Sequence, residues 1–335
     1  MVSTDVARAV DGLPWIGAEA LLHRVAMGEA IACVDAAMRA LSNGETIAPE
    51  RWAMPVADHG RMGIMPGAAP FLSRFGIKVL SLFSAPARGD LPSHQGVMLL
   101  FDMADGRPLC AVDAAALTAL RTAAASAVAT RALARPQSGA LAIIGCGGQA
   151  ALHVAAMRNV LPICEVTLWN RTRATAEEFA RAHLGGLSWR ICATPAEAVA
   201  AADVICTLTA AAEPILAAGD FRPGQHVNLV GSSTLGPREV DDAFVVRSLY
   251  FADSREHALS QGAELRSAMA NGLVRPGHIL AEIGEVLSGE HAGRRTAEDI
   301  TVYKSLGHIV QDLAVADAAH RGVPCSGSEA QGRAS

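Results

Sequence analysis

Apolar positions recur with helical spacing near the start of the chain and with the shorter spacing of strands further on. Between 18 and 42 they fall on one side of a helical projection, which predicts a helix there. These positions are Leu21, Leu22, Val25, Ile31, Val34 and Met38. Short β-prone runs separated by Pro and Gly then occur near 51–56, 61–66, 76–83 and 96–101. Together with a hairpin signal at Asp105-Gly106, these runs predict a mostly antiparallel sheet.

From Asp113 onward the pattern changes to an alternation of helices and buried strands. Asp113 is placed to cap a long Ala-rich helix that runs to about Ala134. Apolar runs then alternate with helical segments, which is typical of a parallel sheet with crossover helices. The runs lie at 141–144, 165–169, 188–192, 203–207, 226–230 and 248–252. A last helix is predicted at about 298–320, with Lys304 in a structural position at its start.

Composition and charge exclude several classes of protein. A chain of 335 residues, of which 51% are hydrophobic, can build two folded domains. The net charge of -5 and the scattered basic residues argue against a nucleic-acid surface. The N-terminal segment lacks the apolar core of a secretory signal, so no such signal is expected. Glycines interrupt the longest uncharged stretch, which lies between Arg135 and Arg158, so no membrane span is expected. Seven cysteines without a C-x-x-C pair predict reduced thiols in the cytoplasm and no bound metal.

Lysine is used unusually. The chain has 28 Lys and Arg residues, and only Lys78 and Lys304 are lysines. A buried lysine can lose its proton near neutral pH, whereas arginine cannot. The two lysines are therefore candidates for positions that arginine cannot fill, although chance explains them equally well.

The clearest local motif is a glycine-rich turn between a buried strand and a helix. The run at 140–144 leads into Gly145-Cys146-Gly147-Gly148-Gln149-Ala150, the G-x-G-x-x-A form of the dinucleotide fingerprint. Gly145 permits the tight turn, and Gly147 lets the backbone approach a pyrophosphate. Ala150 lets the helix pack closely on the strand. The motif predicts a Rossmann dinucleotide-binding site.

The end of the next strand bears on which dinucleotide is bound. Sites for NAD usually carry Asp or Glu there, which binds the ribose 2′-hydroxyl. This chain has Asn170, followed by Arg171 and Arg173. No acidic side chain is present at this position to repel a 2′-phosphate, and the two arginines could bind one. The sequence therefore favours NADP(H), with NAD(H) as the alternative.

Further segments, in a fixed order around this turn, resemble those of one family. They are 51–55 (RWAMP), 63–67 (GIMPG), 76–79 (GIKV), 91–96 (LPSHQG), 99–102 (LLFD), 120–126 (LRTAAAS), 227–233 (VNLVGSS) and 303–307 (YKSLG). With the glycine-rich turn they extend over roughly 15–320 and are similar to the ornithine cyclodeaminase/mu-crystallin family. The resemblance implies an α/β protein that assembles as a homodimer. Its α+β substrate-binding and dimerisation domain would comprise 1–120 with 305–335 returning to it, and its Rossmann domain would comprise 121–304.

The resemblance also implies roles for individual residues. Arg51 and Arg121 would hold the α-carboxylate of the substrate, and Lys78 would be the catalytic group beside the reacting carbon and nitrogen. These residue types suit that chemistry, because guanidinium groups fix the plane of a carboxylate and an ammonium can protonate an imine. Cofactor contacts are implied for Ser93, Arg121, Gly145, Gly147, Gly148, Gln149, Asn170, Arg171, Thr172, Thr207, Gly231 and Ser305.

One departure from the family pattern narrows the expected reaction. Cyclodeaminases carry an Asp in the loop after the fifth Rossmann strand, where it contacts the side-chain amine of the substrate. Here Ser233 fills that substrate-binding position, and Asp241 and Asp242 further on are predicted to begin a helix. Serine cannot anchor an ammonium comparably, so the resemblance favours NAD(P)H-dependent reduction of the C=N bond of a small imino acid, cyclic (such as pyrroline-2-carboxylate) or acyclic.

Three alternatives stay open at this point. The protein could be an ornithine or lysine cyclodeaminase, an amino-acid dehydrogenase of the alanine dehydrogenase type, or a non-catalytic ligand-binding protein like mu-crystallin. The retention of Arg51, Lys78 and Arg121 argues against the last, because a binding protein needs no proton donor.

Overall fold

The structure, a computed structural model, describes residues 12–58, 60–83, 94–232 and 235–322, and of Ala57 and His94 it describes the backbone alone. The contacts divide the chain into two units. The first unit comprises Met1–Ala40, Glu45–Arg121 and Ile309–Ser335, and the second comprises Leu41–Gly44 and Thr122–His308.

The described elements follow one another as strands and helices of ordinary length. The strands are β1 (Trp15–Ile16), β2 (Trp52–Ala57), β3 (Gly60–Ala69), β4 (Arg74–Phe83), β5 (His94–Asp102), β6 (Pro108–Asp113), β7 (Ala140–Ile144), β8 (Glu165–Trp169), β9 (Ser188–Ile191), β10 (Val204–Thr207), β11 (His226–Leu229), β12 (Leu249–Ala252), β13 (Ile279–Glu282) and β14 (Thr301–Lys304). The helices are α1 (Ala18–Arg24), α2 (Met27–Ser42), α3 (Ala114–Leu133), α4 (Ala150–Val160), α5 (Arg173–His183), α6 (Pro195–Ala200), α7 (Asp242–Arg247), α8 (Arg255–Gln261), α9 (Ala263–Ala270), α10 (Ile283–Leu287) and α11 (Ile309–Arg321). Short 3₁₀ turns occupy Pro70–Leu72, Ala218–Asp220 and Pro276–His278.

The first unit is built on a six-stranded sheet of order β1-β6-β5-β4-β3-β2. Its neighbours are antiparallel except for β1 and β6, which run parallel. The predicted antiparallel sheet and the hairpin at Asp105-Gly106 are thus confirmed, and Gly106 has the positive φ of 75° that such a turn favours. The two-residue strand β1 was not predicted, because it is too short to show a pattern.

Helices α1, α2 and α11 complete the first unit, and α11 packs on β3, β4 and β5. The single helix predicted between 18 and 42 is in fact two, because Val25 has an extended backbone (φ -124°, ψ 102°) that ends α1. The side chain of Val25 is buried, so tertiary packing has overridden the helical periodicity.

The second unit is an eight-stranded parallel sheet of order β13-β12-β14-β11-β10-β7-β8-β9. Its central strands are buried, whereas the edge strand β9 is mostly exposed. Residues such as Ile144, Val227, Val302 and Phe244 share one core. The alternation of strands and helices therefore predicted this α/β fold correctly. Asp241 caps α7 by accepting a hydrogen bond from the Phe244 N–H (2.8 Å), which confirms its predicted place at a helix start.

The prediction of one helix over 298–320 was wrong. Residues 301–304 form β14, which inserts between β11 and β12, and α11 begins only at Ile309. Gly307, with a φ of 82°, lies in the connection between them. Lys304 is therefore a fully buried strand residue and does not start a helix. No helix among the described residues is long and apolar enough to cross a membrane.

Candidate active site

Lys78 lies in the middle of β4, on the face of the sheet that α11 covers. Strand periodicity places Gly76, Lys78 and Leu80 on this buried face, and the Lys78 side chain is 0% exposed. A lysine side chain buried to this extent requires partners that satisfy its charge.

The main partner of Lys78 is a carboxylate on the returning helix. The Lys78 Nζ donates to Asp312 Oδ2 at 2.6 Å and to the Thr118 hydroxyl at 3.3 Å. Asp312, on α11, is itself fully buried. Sequence reasoning missed Asp312, although the polar pair Gln311-Asp312 inside the apolar run of α11 was a signal that could have found it.

The environment of Lys78 brings its proton affinity close to neutrality. The pKa of Lys78 is lowered to about 8, because burial and the nearby charges of Arg121 and Arg51 lower it by more than Asp312 raises it. An amine with such a pKa is largely protonated at neutral pH and can still give up its proton, which is what a general acid requires.

Arg121 is held by the same segment of α11. Asp113 caps α3 by accepting from the Ala116 N–H (2.8 Å), and the spacing of Thr118 and Arg121 on α3 puts both on one side of the helix. The Arg121 Nε donates to Asp312 Oδ1 and its Nη1 to Gln311 Oε1, both at 3.1 Å. Among the described residues no acceptor meets Nη2, so this end of the guanidinium can bind a carboxylate.

Arg51 stands immediately before β2 and is half-buried. Its charge contributes to lowering the pKa of Lys78. The first unit thus brings together three of the four substrate residues predicted from the sequence, Arg51, Lys78 and Arg121, and adds Asp312 to them.

The glycine-rich turn of the second unit has the geometry of a phosphate-binding loop. Gly145 has a φ of 103°, which disfavours any other residue, and a Cβ there would also be crowded, at 3.0 Å from the Leu208 carbonyl oxygen. Gly147 and Gly148 are exposed, and a Cβ at either would meet open space. Ala150, which begins α4, is fully buried. The exposed glycine backbone at a helix N-terminus fits a pyrophosphate.

Asn170 braces this turn. Its Oδ1 accepts from the Cys146 N–H at 3.1 Å, and its Nδ2 donates to the Thr172 carbonyl at 2.9 Å. Arg171 is exposed beside it, whereas Arg173 pairs with Glu177 at 3.0 Å. The residues at the end of β8 therefore present a cation and no carboxylate to a ribose bound there.

A buried histidine supports the same turn from below. The His153 Nδ1 lies 2.9 Å from the Gln149 carbonyl, and its Nε2 lies 3.1 Å from the Ser126 hydroxyl. Burial lowers the pKa of His153 to about 4, so the ring is neutral and serves as a structural hydrogen-bonding group. Gln149, a predicted cofactor residue, has a buried Oε1 with no partner among the described residues.

Three other predicted cofactor residues lie at the carboxyl edge of the parallel sheet. The Thr207 hydroxyl donates to Glu239 Oε2 at 2.6 Å, and the Gly231 N–H donates to the same oxygen at 2.9 Å. Ser305 has a buried hydroxyl with no partner among the described residues, so it can bind an incoming group. Glu239 was not predicted, because nothing local in the sequence indicates that the ends of two strands meet on it.

Ser93 and Ser233, predicted to contact the cofactor and the substrate respectively, lie outside the described residues.

The parallel sheet, the strand–turn–helix fingerprint and the open glycine backbone define a dinucleotide-binding protein of the Rossmann class. The sequence profile of the ornithine cyclodeaminase/mu-crystallin family matches residues 18–323, so the chain belongs to this family.

Known proteins of three kinds are similar to the chain. The ketimine reductase mu-crystallin of Rattus norvegicus is 39% identical over 82% of this chain and 84% of its own length. The Δ1-pyrroline-2-carboxylate reductase of Thermococcus litoralis, solved in complex with NADH and L-proline, is 31% identical with a TM-score of 0.89, over 92% of this chain and 97% of that one. An archaeal alanine dehydrogenase dimer with bound NAD is 29% identical with a TM-score of 0.87, over 92% and 95% of the two chains.

Proposed function

We propose that the protein is an NAD(P)H-dependent reductase that reduces the C=N bond of a small imino acid and so forms an L-amino acid. The observation that carries this proposal is the buried Lys78, held by Asp312 at 2.6 Å and next to Arg121 in a protein with a dinucleotide fold. Two similar proteins are named as ketimine and Δ1-pyrroline-2-carboxylate reductases, which supports the same reaction.

The reaction requires a hydride at the imine carbon and a proton at the nitrogen. A bound reduced nicotinamide supplies the hydride. Arg121, through its open Nη2, and Arg51 bind the α-carboxylate and thereby fix the plane of the adjacent C=N group. Lys78 donates its proton to the nitrogen as the π electrons of the C=N bond move there, so that the product is the neutral amine.

The cofactor preference is inferred from the end of β8. We infer that NADP(H) is preferred to NAD(H), because Asn170 is occupied in bracing the glycine-rich turn and Arg171 is the exposed cation next to it. NAD(H) remains the alternative, and two of the similar structures contain NADH or NAD.

We also propose that two copies associate through the open face of the six-stranded sheet. Trp52, Ile64, Val79 and Val97 form a cross-strand row on the face opposite Lys78. All four are at least partly exposed, and Trp52 is 51% exposed. A continuous apolar row of this kind is typical of an interface.

The test is an assay of the purified protein with NADPH, and separately with NADH. The substrates are pyrroline-2-carboxylate, piperideine-2-carboxylate, and pyruvate or oxaloacetate with ammonium, and loss of absorbance by the reduced nicotinamide is followed. Oxidation with any imine, faster with NADPH, is expected. Cofactor binding without oxidation would reject the proposal. Ammonia release from ornithine or lysine would then indicate a cyclodeaminase, reduction of NAD by alanine would indicate a dehydrogenase, and neither would leave a mu-crystallin-like binding protein.

A further inference from the structure

A second buried lysine lies at the carboxyl edge of the parallel sheet, where the mechanism above uses no residue. In this fold the phosphates bind at the turn after β7 and the adenosine lies over β8 and β9. The other nucleotide, which carries the nicotinamide, must then lie over the opposite neighbours β10, β11 and β14. Lys304 ends β14 and is therefore on the nicotinamide side of the sheet.

Lys304 is fully engaged there by two residues. Its Nζ donates to the Ser232 carbonyl at 2.5 Å and to the Ser232 hydroxyl at 2.8 Å, and it forms an ion pair with Glu264 Oε2 at 2.8 Å. The Ser232 hydroxyl donates in turn to Glu264 Oε1 at 2.5 Å. Lys304 and Glu264 are 0% exposed and Ser232 is 2% exposed. The carbonyl and the hydroxyl of Ser232 are thus both held by the buried ion pair of Lys304 and Glu264.

A second carboxylate, Glu239, fixes the residue before Ser232. It accepts from the Gly231 N–H (2.9 Å) and the Thr207 hydroxyl (2.6 Å), and from both the N–H and the hydroxyl of Thr209 (2.7 Å each). A Cβ on Gly231 would lie 2.5 Å from Glu239 Oε1, so only glycine lets the backbone come this close to the carboxylate. Two consecutive residues after β11, Gly231 and Ser232, are therefore held by buried acids.

The chemistry of this site explains why its cation is a lysine. Three acceptors surround one nitrogen, and an ammonium offers three N–H bonds from a single point, whereas a guanidinium is a planar fork. Both lysines of the chain are thus buried and ion-paired, Lys78 with Asp312 and Lys304 with Glu264. Ser305, which follows Lys304, has a buried hydroxyl without a partner among the described residues.

We propose that Lys304 and Glu264 are positioning residues that hold Ser232, at the end of the described segment 230–232, in one conformation under the nicotinamide half of the bound cofactor. They act on the cofactor through Ser232 and take no part in proton transfer. The proposal rests on the proposed function only in that a nicotinamide dinucleotide is bound.

The experiment compares two ligands that differ by the nicotinamide nucleoside. Dissociation constants of NADH and of ADP-ribose, which has no nicotinamide, are measured by calorimetry for the wild type and for Lys304→Met, Lys304→Arg, Glu264→Gln and the double variant Lys304→Met/Glu264→Gln. Ser232→Ala is a milder variant that keeps the ion pair. Arg222→Met is the control, because Arg222 pairs with Asp203 (2.8 Å) just before β10, at the opposite edge of the same sheet.

Lys304→Met, Lys304→Arg and Glu264→Gln are expected to weaken NADH binding by about tenfold and ADP-ribose binding by less than about twofold. The double variant removes both buried charges, so it should recover most of the loss in Tm without recovering NADH affinity. Arg222→Met should change neither affinity. Equal changes for the two ligands, or no change for NADH in the double variant, would overturn the proposal. Because no imino acid is present, a wild type that binds NADH but reduces no imine rejects the proposed function alone.

Discussion

Replacement of Asp312 by asparagine should move the alkaline limit of activity towards lower pH. Asp312 Oδ2 lies 2.6 Å from the Lys78 Nζ, and its negative charge favours the protonated lysine. The amide of asparagine has nearly the same shape but no charge. Loss of the charge therefore lowers the pKa of Lys78 further below its ordinary value of 10.5, while Arg121 and Arg51 continue to lower it.

The size of the effect follows from the protonated fraction of Lys78. With a pKa of about 8, about 0.9 of the molecules carry the proton at pH 7. An opposite charge in contact typically shifts a pKa by about 1 to 3 pH units. In the variant, the alkaline limb of the pH–activity profile is therefore expected between roughly pH 5 and 7. The protonated fraction at pH 7 then falls by a factor between about 2 and 100. Because the protonated form donates, activity is retained below the limb and lost as the pH rises through it.

The measurement is the pH profile of kcat/KM for an imino acid between pH 5 and 9.5, in wild type and Asp312→Asn. Asp317→Asn is the matched control, because Asp317 is also a fully buried acid on α11 but pairs with Arg74 (2.8 Å). The control should keep the alkaline limb near pH 8. An Asp312→Asn enzyme whose activity is lowered by the same factor at every pH, with its alkaline limb still near pH 8, would refute the assignment of Asp312 as the group that tunes the pKa of Lys78.

Four further outcomes are expected. Lys78→Met should lower kcat by about 100-fold or more, because the proton donor is lost, with little change in the Kd of NADPH measured by fluorescence. Arg171→Ser should weaken NADPH binding by about tenfold and leave NADH binding unchanged, whereas Arg173→Ser, which removes an exposed cation already paired with Glu177, should affect neither. Ile64→Arg should convert a dimer to monomers in light scattering, and a wild type that is already monomeric at micromolar concentration would exclude the interface. Burial lowers the pKa of His226 to about 3, so the unfolded chain alone takes up its proton below about pH 6.5. Stability should then fall by about 1.4 kcal/mol per pH unit below that point, and Tm should fall less steeply with acidification in His226→Gln.

The parts of the site that the sequence predicted well are those formed by consecutive residues. The fingerprint at 145–150 needs a strand, a turn and a helix that follow directly on one another, so its geometry is encoded locally. The same holds for the caps Asp113 and Asp241, whose acceptors bind N–H groups three residues further on.

The parts that were missed depend on residues far apart in the chain. Asp312 and Lys78 are separated by 234 positions, and no local pattern links them. The sequence predicted Lys304 at the start of a helix, because a strand of only four residues is too short to show a clear strand periodicity. Glu239 and Glu264 look like ordinary helix-flanking acids until the sheet order brings β10, β11 and β14 side by side. Family resemblance supplied Arg51, Lys78 and Arg121, which periodicity alone could not separate from surface cations.

The late position of α11 has a consequence for biosynthesis. When the strands of the first unit have emerged from the ribosome, Lys78 and Arg121 still lack the carboxylate of Asp312, which is made 234 residues after Lys78. A buried cation without a counter-ion is strongly destabilising, so the sheet cannot close over Lys78 until α11 is available. The strands of the first unit, which are synthesised before α11, thus reach their native packing only after it. We expect nascent chains to expose the sheet face that α11 covers until α11 has been synthesised, and transiently exposed apolar surface of this kind favours aggregation.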